Sequence, residues 1–224
     1  MGRIWGWASS TPKAKTLCYQ LGGLGSGGAG ENGLRGKKAQ NTVRIIGGDW
    51  RGRRLPVADE PGLRPSGDRC RETLFNWLQA QLPGARCADL FAGTGALGFE
   101  AASRGAAQVT LVERNPRLAA QLREAMLGLK ARQVDVVASD ALAWLRDAPP
   151  ESLDLVFVDP PFEQRIGGEL LGRIRTVLRA GGLVYLESPA SRAMPEPGPG
   201  WLSWREQRLG AVRMQVWRKT AEPA

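Results

Sequence analysis

The residues with the clearest capacity for chemistry are Asp159, Pro160, Pro161 and Phe162, which follow an apolar run. A carboxylate and the Pro160 carbonyl can both accept hydrogens from the exocyclic amine of a nucleobase, whose lone pair is otherwise delocalised into the ring. Accepting those hydrogens favours a pyramidal nitrogen aimed at a methyl donor. The ring of Phe162 can stack on the base and hold it. The pattern indicates methyl transfer to a base amine, although an ordinary Pro-Pro turn after a strand also explains it.

A glycine-rich turn provides a candidate site for the methyl donor. Residues 93–98 read Gly-Thr-Gly-Ala-Leu-Gly between a predicted strand and a predicted helix, which matches the pattern of adenosine-containing cofactor sites. Glu113 ends the next predicted strand, where an acid binds ribose hydroxyls, and Asp140 follows the third strand, where it suits the adenine amino group. NAD and S-adenosylmethionine both fit such a site. The rigid Asp-Pro-Pro-Phe favours S-adenosylmethionine, because a dehydrogenase has no need of it.

An alternation of strands and helices must position these residues. Apolar spacing predicts strands at 88–92, 108–113, 134–139, 153–159 and 183–187. It predicts intervening helices at 96–104, 118–129, 141–146 and 170–178. Alternating apolar and polar residues predict an antiparallel hairpin over 201–207 and 211–218. The predicted fold class is α/β: a Rossmann-like, doubly wound, mostly parallel sheet closed by an antiparallel C-terminal hairpin.

Asp159 and Phe162 are expected at the carboxyl edge of this sheet. The residues before them, 154–158, read as a strand that is buried on both faces, because the run is short and rich in Val and Phe. Two consecutive prolines cannot continue a central strand, and they keep the chain stiff and extended beyond it. That edge is where open α/β sheets bind ligands.

A basic N-terminal segment precedes the alternating elements. Residues 43–57 predict a β-hairpin with Gly47 and Gly48 in the turn. The hairpin suits contact with RNA, because its guanidinium groups can bind phosphates and its tryptophan ring can stack on a base. The predicted RNA-contacting residues are Arg44, Trp50, Arg51, Arg53 and Arg54. A sheet extension with a solvated basic face is the alternative. A helix follows, with Asp68 or Ser66 as its N-cap. Its predicted apolar face consists of Leu74, Trp77, Leu78 and Leu82.

Composition bounds the class of protein. The formal net charge of +9 and the pI of about 10.2 favour a polyanionic partner, nucleic acid before membrane, although a solvated basic surface gives the same charge. The chain contains no histidine, which excludes a histidine base, and no metal site is predicted. Cys18, Cys70 and Cys87 form neither a disulfide framework nor a zinc site and suit the cytoplasm. No run approaches the length of a membrane span.

The predicted organisation has four parts. Residues 1–41 form a disordered, Gly/Ser-rich extension without a secretory signal, for which an organelle transit peptide or a mis-called start codon stays open. Residues 42–82 form an RNA-contacting hairpin and helix that pack on the next domain. Residues 83–219 form the methyltransferase domain, and residues 220–224 form a tail.

Four motifs stand in the order found in one known family. They lie at 44–53 (Arg-Ile-Ile-Gly-Gly-Asp-Trp-Arg-Gly-Arg), 63–78 (beginning Leu-Arg-Pro-Ser-Gly-Asp-Arg), 89–98 (Asp-Leu-Phe-Ala-Gly-Thr-Gly-Ala-Leu-Gly) and 156–162 (Val-Phe-Val-Asp-Pro-Pro-Phe). From about Val43 to Lys219 the chain resembles the RsmD family of bacterial 16S ribosomal RNA guanine-N2 methyltransferases. The two N-terminal motifs are the more particular to that family. The extension is not a family feature, and Ser66-Gly67 is a less usual pair there.

The resemblance implies a reaction and a set of site residues. S-adenosylmethionine is the implied donor, and the exocyclic amine of guanine 966 in 16S rRNA is the implied acceptor. The expected substrate is an assembling small-subunit particle, and the expected enzyme is a monomer. The implied target pocket consists of Asp159, Pro160, Pro161 and Phe162. Residues 64–68 approach the amino-acid end of the donor. The cofactor set consists of Arg64, Asp68, Asp89, Phe91, Gly93, Thr94, Gly95, Glu113, Arg114, Asp140 and Ala141.

Two other functions stay open at this point. Adenine-N6 methyltransferases of DNA or RNA also use Asp-Pro-Pro followed by an aromatic residue. The Arg-rich hairpin speaks against this alternative, and no separate DNA-recognition domain is predicted. A nonenzymatic RNA-binding protein is the other possibility. Intact Asp159 and the intact turn at 93–95 speak against it, because such a protein needs neither.

Overall fold

A computed structural model of the chain describes residues 42–57, 67–161, 166–192 and 196–221. The predicted disordered extension lies outside the described residues, as do Arg64, Ser66 and Phe162. In chain order the described strands are β1 (Thr42–Arg44), β2 (Arg54–Pro56), β3 (Arg86–Asp89), β4 (Gln108–Glu113), β5 (Val134–Ala138), β6 (Leu153–Val158), β7 (Leu178–Pro189), β8 (Trp201–Leu209) and β9 (Val212–Lys219). The described helices are α1 (Asp68–Leu78), α2 (Ala96–Ser103), α3 (Pro116–Leu129), α4 (Ala141–Asp147) and α5 (Gly168–Val177).

Seven of these strands form one sheet in the order β5-β4-β3-β6-β7-β9-β8. The strands from β3 to β7 pair in parallel, whereas β9 pairs antiparallel with both β7 and β8. Parallel neighbours need crossover connections, which the helices from α2 to α5 supply. The predicted fold class, a doubly wound sheet closed by a C-terminal hairpin, is therefore confirmed.

Helices cover both faces of the sheet. The hairpin β1–β2 and helices α1, α2 and α3 contribute to one apolar cluster, and α4 and α5 contribute to the other. Strand β6 supplies both clusters, because Leu155 and Phe157 point to the first face and Val156 and Val158 to the second. All four side chains are at most 1% exposed. This burial on both faces explains why the sequence of β6 is an unbroken apolar run.

The boundary between α5 and β7 differs from the prediction. The helical spacing was expected to extend the helix to residue 178, but β7 begins at Leu178. Leu153 of β6 pairs with Leu178, and Leu155 pairs with Leu183, so β7 carries extra residues at this point. Gly181 lies in the extra segment with φ +76°, a conformation that favours glycine. Pairing with β6 therefore overrides the local helical pattern.

Helix α1 begins without the side-chain cap predicted for it. Gly67 occupies the N-cap position, and no side chain forms a capping hydrogen bond there. Asp68 is instead the first helical residue, and its carboxylate accepts a hydrogen bond from Arg71 at 2.6 Å. An acid in the first turn still suits the helix dipole. Most of the predicted apolar face is present, because Leu74 and Leu78 are fully buried and Trp77 is half-buried. Leu82 is also fully buried, but it lies beyond Leu78, where α1 ends, so its predicted place on the helix is wrong.

Two buried polar side chains of α2 fasten the loop between β1 and β2. The carboxylate of Glu100, which is 0% exposed, accepts hydrogen bonds from the backbone N–H groups of Ile46 at 2.7 Å and Gly47 at 2.8 Å. The Ser103 hydroxyl donates to the Gly47 carbonyl at 2.6 Å. A Cβ on Gly48 would lie only 1.8 Å from the Ser103 carbonyl oxygen. The hairpin is present, but a loop over residues 45–53 joins its strands instead of the predicted turn at the two glycines, which allow this loop to approach the helix closely.

Three features of the described residues bear on the predicted class. None of their helices is long and apolar enough to span a bilayer. No three metal-ligating side chains converge among them. Cys70 and Cys87 are free, buried thiols, and burial raises the pKa of Cys87 to about 12.

Candidate active site

The predicted site residues follow the carboxyl ends of four neighbouring parallel strands. The turn at 93–95 follows β3, Glu113 ends β4, Asp140 follows β5 and Asp159 follows β6. Because these strands are parallel and adjacent, their carboxyl ends meet at one edge of the sheet. The strand order reverses beside β3, with β4 on one side and β6 on the other. Such a switch point opens the crevice in which doubly wound sheets bind ligands.

The glycines of the turn adopt conformations that other residues rarely take. Gly93 has φ +52° and Gly95 has φ +75°, and Gly95 is the N-cap of α2. A Cβ on Gly95 would lie 2.6 Å from the ring of Phe99. A Cβ on Gly98 would lie 2.1 Å from Leu111 Cδ2, so glycine there lets α2 pack closely on β4. The glycines therefore allow a tight turn that packs closely on α2 and β4, and contact of this turn with a cofactor stays a prediction.

Glu113 ties this turn to the end of β4. Its Oε2 accepts a hydrogen bond from the Gly93 N–H at 2.9 Å, and its Oε1 accepts one from the Asn115 N–H at 2.8 Å. The residue is 8% exposed, so its carboxylate is held in a fixed orientation. Each carboxylate oxygen has two acceptor positions, which leaves Glu113 with capacity for ligand hydroxyls.

Asp89 and Phe91 lie at the base of the same turn. Asp89 is 1% exposed, and its Oδ2 accepts a hydrogen bond from the Gly98 N–H at 3.1 Å. Burial raises the pKa of Asp89 to about 7, although backbone hydrogen bonds from Gly98 and Phe91 oppose the shift. Phe91 is half-buried and packs against the cluster of α4 and α5. Asp89 thus supports the first turn of α2, and its contact with a donor stays a prediction.

Asp140 caps helix α4. Its Oδ1 accepts hydrogen bonds from the N–H groups of Leu142 at 2.9 Å and Ala143 at 3.3 Å, and the residue is exposed. The next residue, Ala141, is buried, and Arg114 beyond the end of β4 is exposed. The cap sets the position of the Asp140 carboxylate at the same edge as Glu113.

Thr94 borders a small pocket on the α3 side of the turn. The pocket is lined by Gly93 and Thr94, by Pro56 of β2, and by Gln121 and neighbouring apolar residues of α3. It brings the end of the N-terminal hairpin next to the predicted donor loop.

Asp159, Pro160 and Pro161 leave the sheet where β6 ends. Asp159 is half-buried, Pro160 is buried and Pro161 is exposed. Sequence reasoning missed the neighbouring acid, Glu187, on β7. It is 4% exposed, and its Oε2 accepts a hydrogen bond from the Tyr185 hydroxyl at 2.5 Å. The signal was present, because Glu187 follows the apolar run of β7 as Asp159 follows that of β6.

The predicted RNA-contacting residues lie in and around the N-terminal hairpin. Arg44 is 3.9 Å from the Asp68 carboxylate, and its side chain is 58% exposed. Arg51, Arg53 and Arg54 are exposed. The Arg53 guanidinium donates to the Gly128 carbonyl at 2.9 Å. Their contact with RNA stays a prediction.

Trp50 differs from the exposed arginines. It is half-buried, it packs against the main apolar cluster, and its backbone N–H donates to the Ser103 hydroxyl at 2.9 Å. Part of its ring therefore belongs to the fold. Arg64 and Phe162 lie outside the described residues, so their predicted roles also stay predictions.

Known proteins share this sequence over most of its length. The model of the family described as Conserved hypothetical protein 95 matches residues 43–218. Ribosomal RNA small subunit methyltransferase D of Escherichia coli strain K12 is 43% identical over 183 residues, which cover 80% of this chain and 91% of that protein. The protein of the same name from Haemophilus influenzae is 37% identical over 185 residues, which cover 80% of this chain and 95% of that protein.

Solved structures share the fold as well. The structure of yhhF from Escherichia coli matches with a TM-score of 0.74 and 40% identity, covering 81% of this chain and 100% of that chain. A crystal structure from Haemophilus influenzae matches with a TM-score of 0.68 and 33% identity, covering the same shares. The resemblance carried by the motifs at 44–53, 63–78, 89–98 and 156–162 is thus confirmed, and the chain belongs to the RsmD family, that of the small-subunit ribosomal RNA methyltransferase D proteins.

Proposed function

We propose that this chain transfers the methyl group of S-adenosylmethionine to the exocyclic N2 of one guanine in 16S ribosomal RNA, of the guanine 966 type. Its relatives' names support methyl transfer to small-subunit ribosomal RNA. The observation that carries the proposal is the position of Asp159-Pro160-Pro161. This segment leaves β6 beside β3, whose following turn contains Gly93 and Gly95. This arrangement supports a role for Asp159 as an amine acceptor across the switch point from the turn proposed to bind the donor.

The residues at the ends of β3, β4 and β5 fit the adenosine half of the donor. Glu113 offers carboxylate oxygens to the ribose hydroxyls, and Asp140 offers an acceptor to the adenine amine. Gly93 and Gly95 adopt the positive φ angles of a tight turn, as expected of a loop that contacts the donor. Asp68, with Arg64 beyond the described residues, is proposed to approach the amino-acid end. When bound, S-adenosylmethionine supplies a methyl group on a positively charged sulfur, which is a good leaving group.

Catalysis on this proposal consists of aiming a weak nucleophile. Asp159 and the Pro160 carbonyl accept the two hydrogens of the guanine amine and turn its lone pair towards the methyl carbon. The new N–C bond would replace the C–S bond of the bound donor, whose sulfur would leave as a neutral thioether. The nitrogen gives up one proton, for which the Asp159 carboxylate is the proposed first acceptor. Phe162 is proposed to stack on the flipped base.

The proposed substrate is an assembling small-subunit particle. The exposed guanidinium groups of the hairpin suit contact with phosphates, because such contacts supply most of the affinity for a nucleic acid. The residues that carry these guanidinium groups are Arg44, Arg51, Arg53 and Arg54. We propose that the enzyme acts as a monomer. It is also proposed to act without a metal ion, since the leaving group is already activated.

Nucleoside analysis tests the proposal. Small subunits from a strain that lacks the activity are incubated with the protein and S-adenosylmethionine labelled in its methyl group, and the rRNA is digested to nucleosides. The expected product is N2-methylguanosine at one position, and subunits that already carry the modification serve as the control. Labelled N6-methyladenosine would establish the adenine alternative. Absence of label from both naked rRNA and particles would refute methyl transfer to rRNA.

A further inference from the structure

Glu187 lies next to Asp159 at the carboxyl edge of the sheet. Strands β6 and β7 pair in parallel as far as Val158 and Leu186. Asp159 and Glu187 are the following residues of the two segments. Neighbouring strands lie about 4.8 Å apart, so the two acids begin within about one strand spacing of each other.

Glu187 lies on the face of the sheet that α1 covers, and the charge of Asp159, which follows the end of β6, acts on the same region. Phe157 and Tyr185 pair across the two strands two positions earlier, and residues two positions apart along a strand share a face. Phe157 and Tyr185 belong to the cluster that contains Cys70 of α1. Burial raises the pKa of the Cys70 thiol, and the charges of Glu187 and Asp159 raise it further. Two carboxylates therefore act on one small region between α1 and the sheet edge.

Tyr185 fixes the position of the Glu187 carboxylate. The tyrosine is 1% exposed, and its hydroxyl donates to Glu187 Oε2 at 2.5 Å. Burying a carboxylate costs desolvation energy even when it is hydrogen-bonded, and a second carboxylate at Asp159 adds repulsion. A neutral side chain at this position would avoid both effects. Buried acids that a fold retains against such costs are typical of functional sites.

We propose that Glu187 determines base specificity by accepting the N1–H of the target guanine, while Asp159 and the Pro160 carbonyl accept the hydrogens of its N2 amine. This inference rests on the guanine-N2 methyl transfer proposed above. The Watson–Crick edge of guanine presents N1–H and N2–H as adjacent donors, which two neighbouring carboxylates match. Adenine presents a lone pair at N1, which a carboxylate repels. Tyr185 is the positioning residue that holds the Glu187 carboxylate in place.

A base analogue separates the N1 contact from the reaction at N2. 2-Aminopurine keeps the exocyclic 2-amino group of guanine but lacks its 6-oxo group, and it carries a lone pair at N1 instead of a hydrogen; comparison of the Glu187 variant with the parent cancels the effect of the missing oxygen. Particles are reconstituted from ligated 16S rRNA with guanine or 2-aminopurine at the target position. The ratio of kcat/KM for the two bases is measured for the parent protein, for Glu187→Gln and for Glu124→Gln. Glu124 is an exposed glutamate on α3 and provides a matched control.

The parent should prefer guanine by roughly 10²-fold or more, because 2-aminopurine cannot donate to the Glu187 carboxylate and instead turns its N1 lone pair towards it. Glu187→Gln should lower this ratio at least about ten-fold, since the amide can donate to the N1 lone pair of 2-aminopurine and the lost bond was charge-assisted. Glu124→Gln should leave the ratio unchanged. Comparing variant with parent cancels any difference in amine reactivity between the bases.

Two results would overturn the inference while methyl transfer to guanine still stands. One is a parent enzyme that methylates both bases with equal kcat/KM, a measurement that needs no variant. The other is a Glu187→Gln protein with the parent's S-adenosylmethionine affinity and an unchanged ratio. A parent that methylates neither base in these particles would instead refute the proposed function.

Discussion

Replacing Glu100 with glutamine should release the N-terminal hairpin from the body of the protein. The Glu100 carboxylate accepts hydrogen bonds from Ile46 N–H at 2.7 Å, Gly47 N–H at 2.8 Å and Arg104 Nε at 2.8 Å. It also lies 3.8 Å from Arg71 Nη1, in a side chain that is 1% exposed. A glutamine keeps one acceptor oxygen, turns an NH₂ group towards former donors and removes the charge that faces two arginines.

The size of the effect follows from these partners. Hydrogen bonds to a charged group contribute about 1.5–3 kcal/mol each, and removing one partner of a buried ion pair costs about 3–5 kcal/mol. Because the contributions overlap in one carboxylate, we expect a total loss of about 3–5 kcal/mol for Glu100→Gln. For a domain of this size, about 1 kcal/mol lowers Tm by roughly 2–4 °C. Tm should therefore fall by roughly 6–20 °C.

Thermal unfolding followed by circular dichroism measures the loss. Glu124→Gln, the same change on the exposed side of α3, should stay within about 0.5 kcal/mol of the parent. Hydrogen exchange adds a local measurement. The amides of Ile46 and Gly47 should exchange faster in Glu100→Gln than in the parent or in Glu124→Gln. A Tm within 2 °C of the parent, given unchanged exchange at both amides, would refute the role assigned to the carboxylate.

Three further predictions concern RNA, packing and pH. Replacing three arginines by alanine should weaken RNA binding and reduce its salt slope by up to about 0.9 per lost phosphate contact, with unchanged affinity for S-adenosylmethionine; they are Arg51, Arg53 and Arg54. An unchanged slope would mean that the hairpin faces elsewhere. Gly98→Ala should cost about 1–3 kcal/mol, because the new Cβ meets Leu111, whereas Gly128→Ala, with no atom within 4 Å, should be neutral or stabilising in urea unfolding. Burial raises the pKa of Asp89 from 3.8 to about 7, so the folded state holds the extra proton between these values. The free energy of unfolding of the parent should fall as pH rises through this range, and Asp89→Asn should remove up to about 4 kcal/mol of that fall. Equal dependence of unfolding free energy on pH in the parent and in Asp89→Asn would contradict this prediction.

Much of the fold could be predicted because many strands and helices are marked by neighbouring residues or by regular spacing of apolar residues. The bounds of β4 agree with the prediction, since its apolar run ends at a recognisable acid, Glu113. Strand β6 was recognisable because burial on both faces demands a continuous apolar run. The start of β7 was not, because the helical spacing of Ile174, Val177 and Leu178 continues past the end of the helix. Only pairing with Leu153, far away in the sequence, decides that boundary.

The candidate site divides in the same way. Acids that directly follow strands could be assigned to the sheet edge, because topology alone brings strand ends together. Glu100 could not be assigned a role, since its partners lie 53 and 54 residues earlier in the chain. The predicted contact of Trp50 with a base stays a prediction, and the packing of its half-buried ring on the core could not be predicted. A sequence does not reveal which side of a short hairpin faces its own domain.

The single-turnover methylation rate of Asp159→Ala is the decisive measurement of the proposed role of Asp159. The rate should fall roughly 10²-fold or more, because the preorganised acceptor for the amine is removed. Affinity for S-adenosylmethionine and Tm should stay close to those of the parent, since the donor's residues follow other strands. Asp135→Ala, an exposed aspartate on β5, should keep the parent rate. A folded Asp159→Ala protein that methylates small subunits at the parent rate would contradict the account.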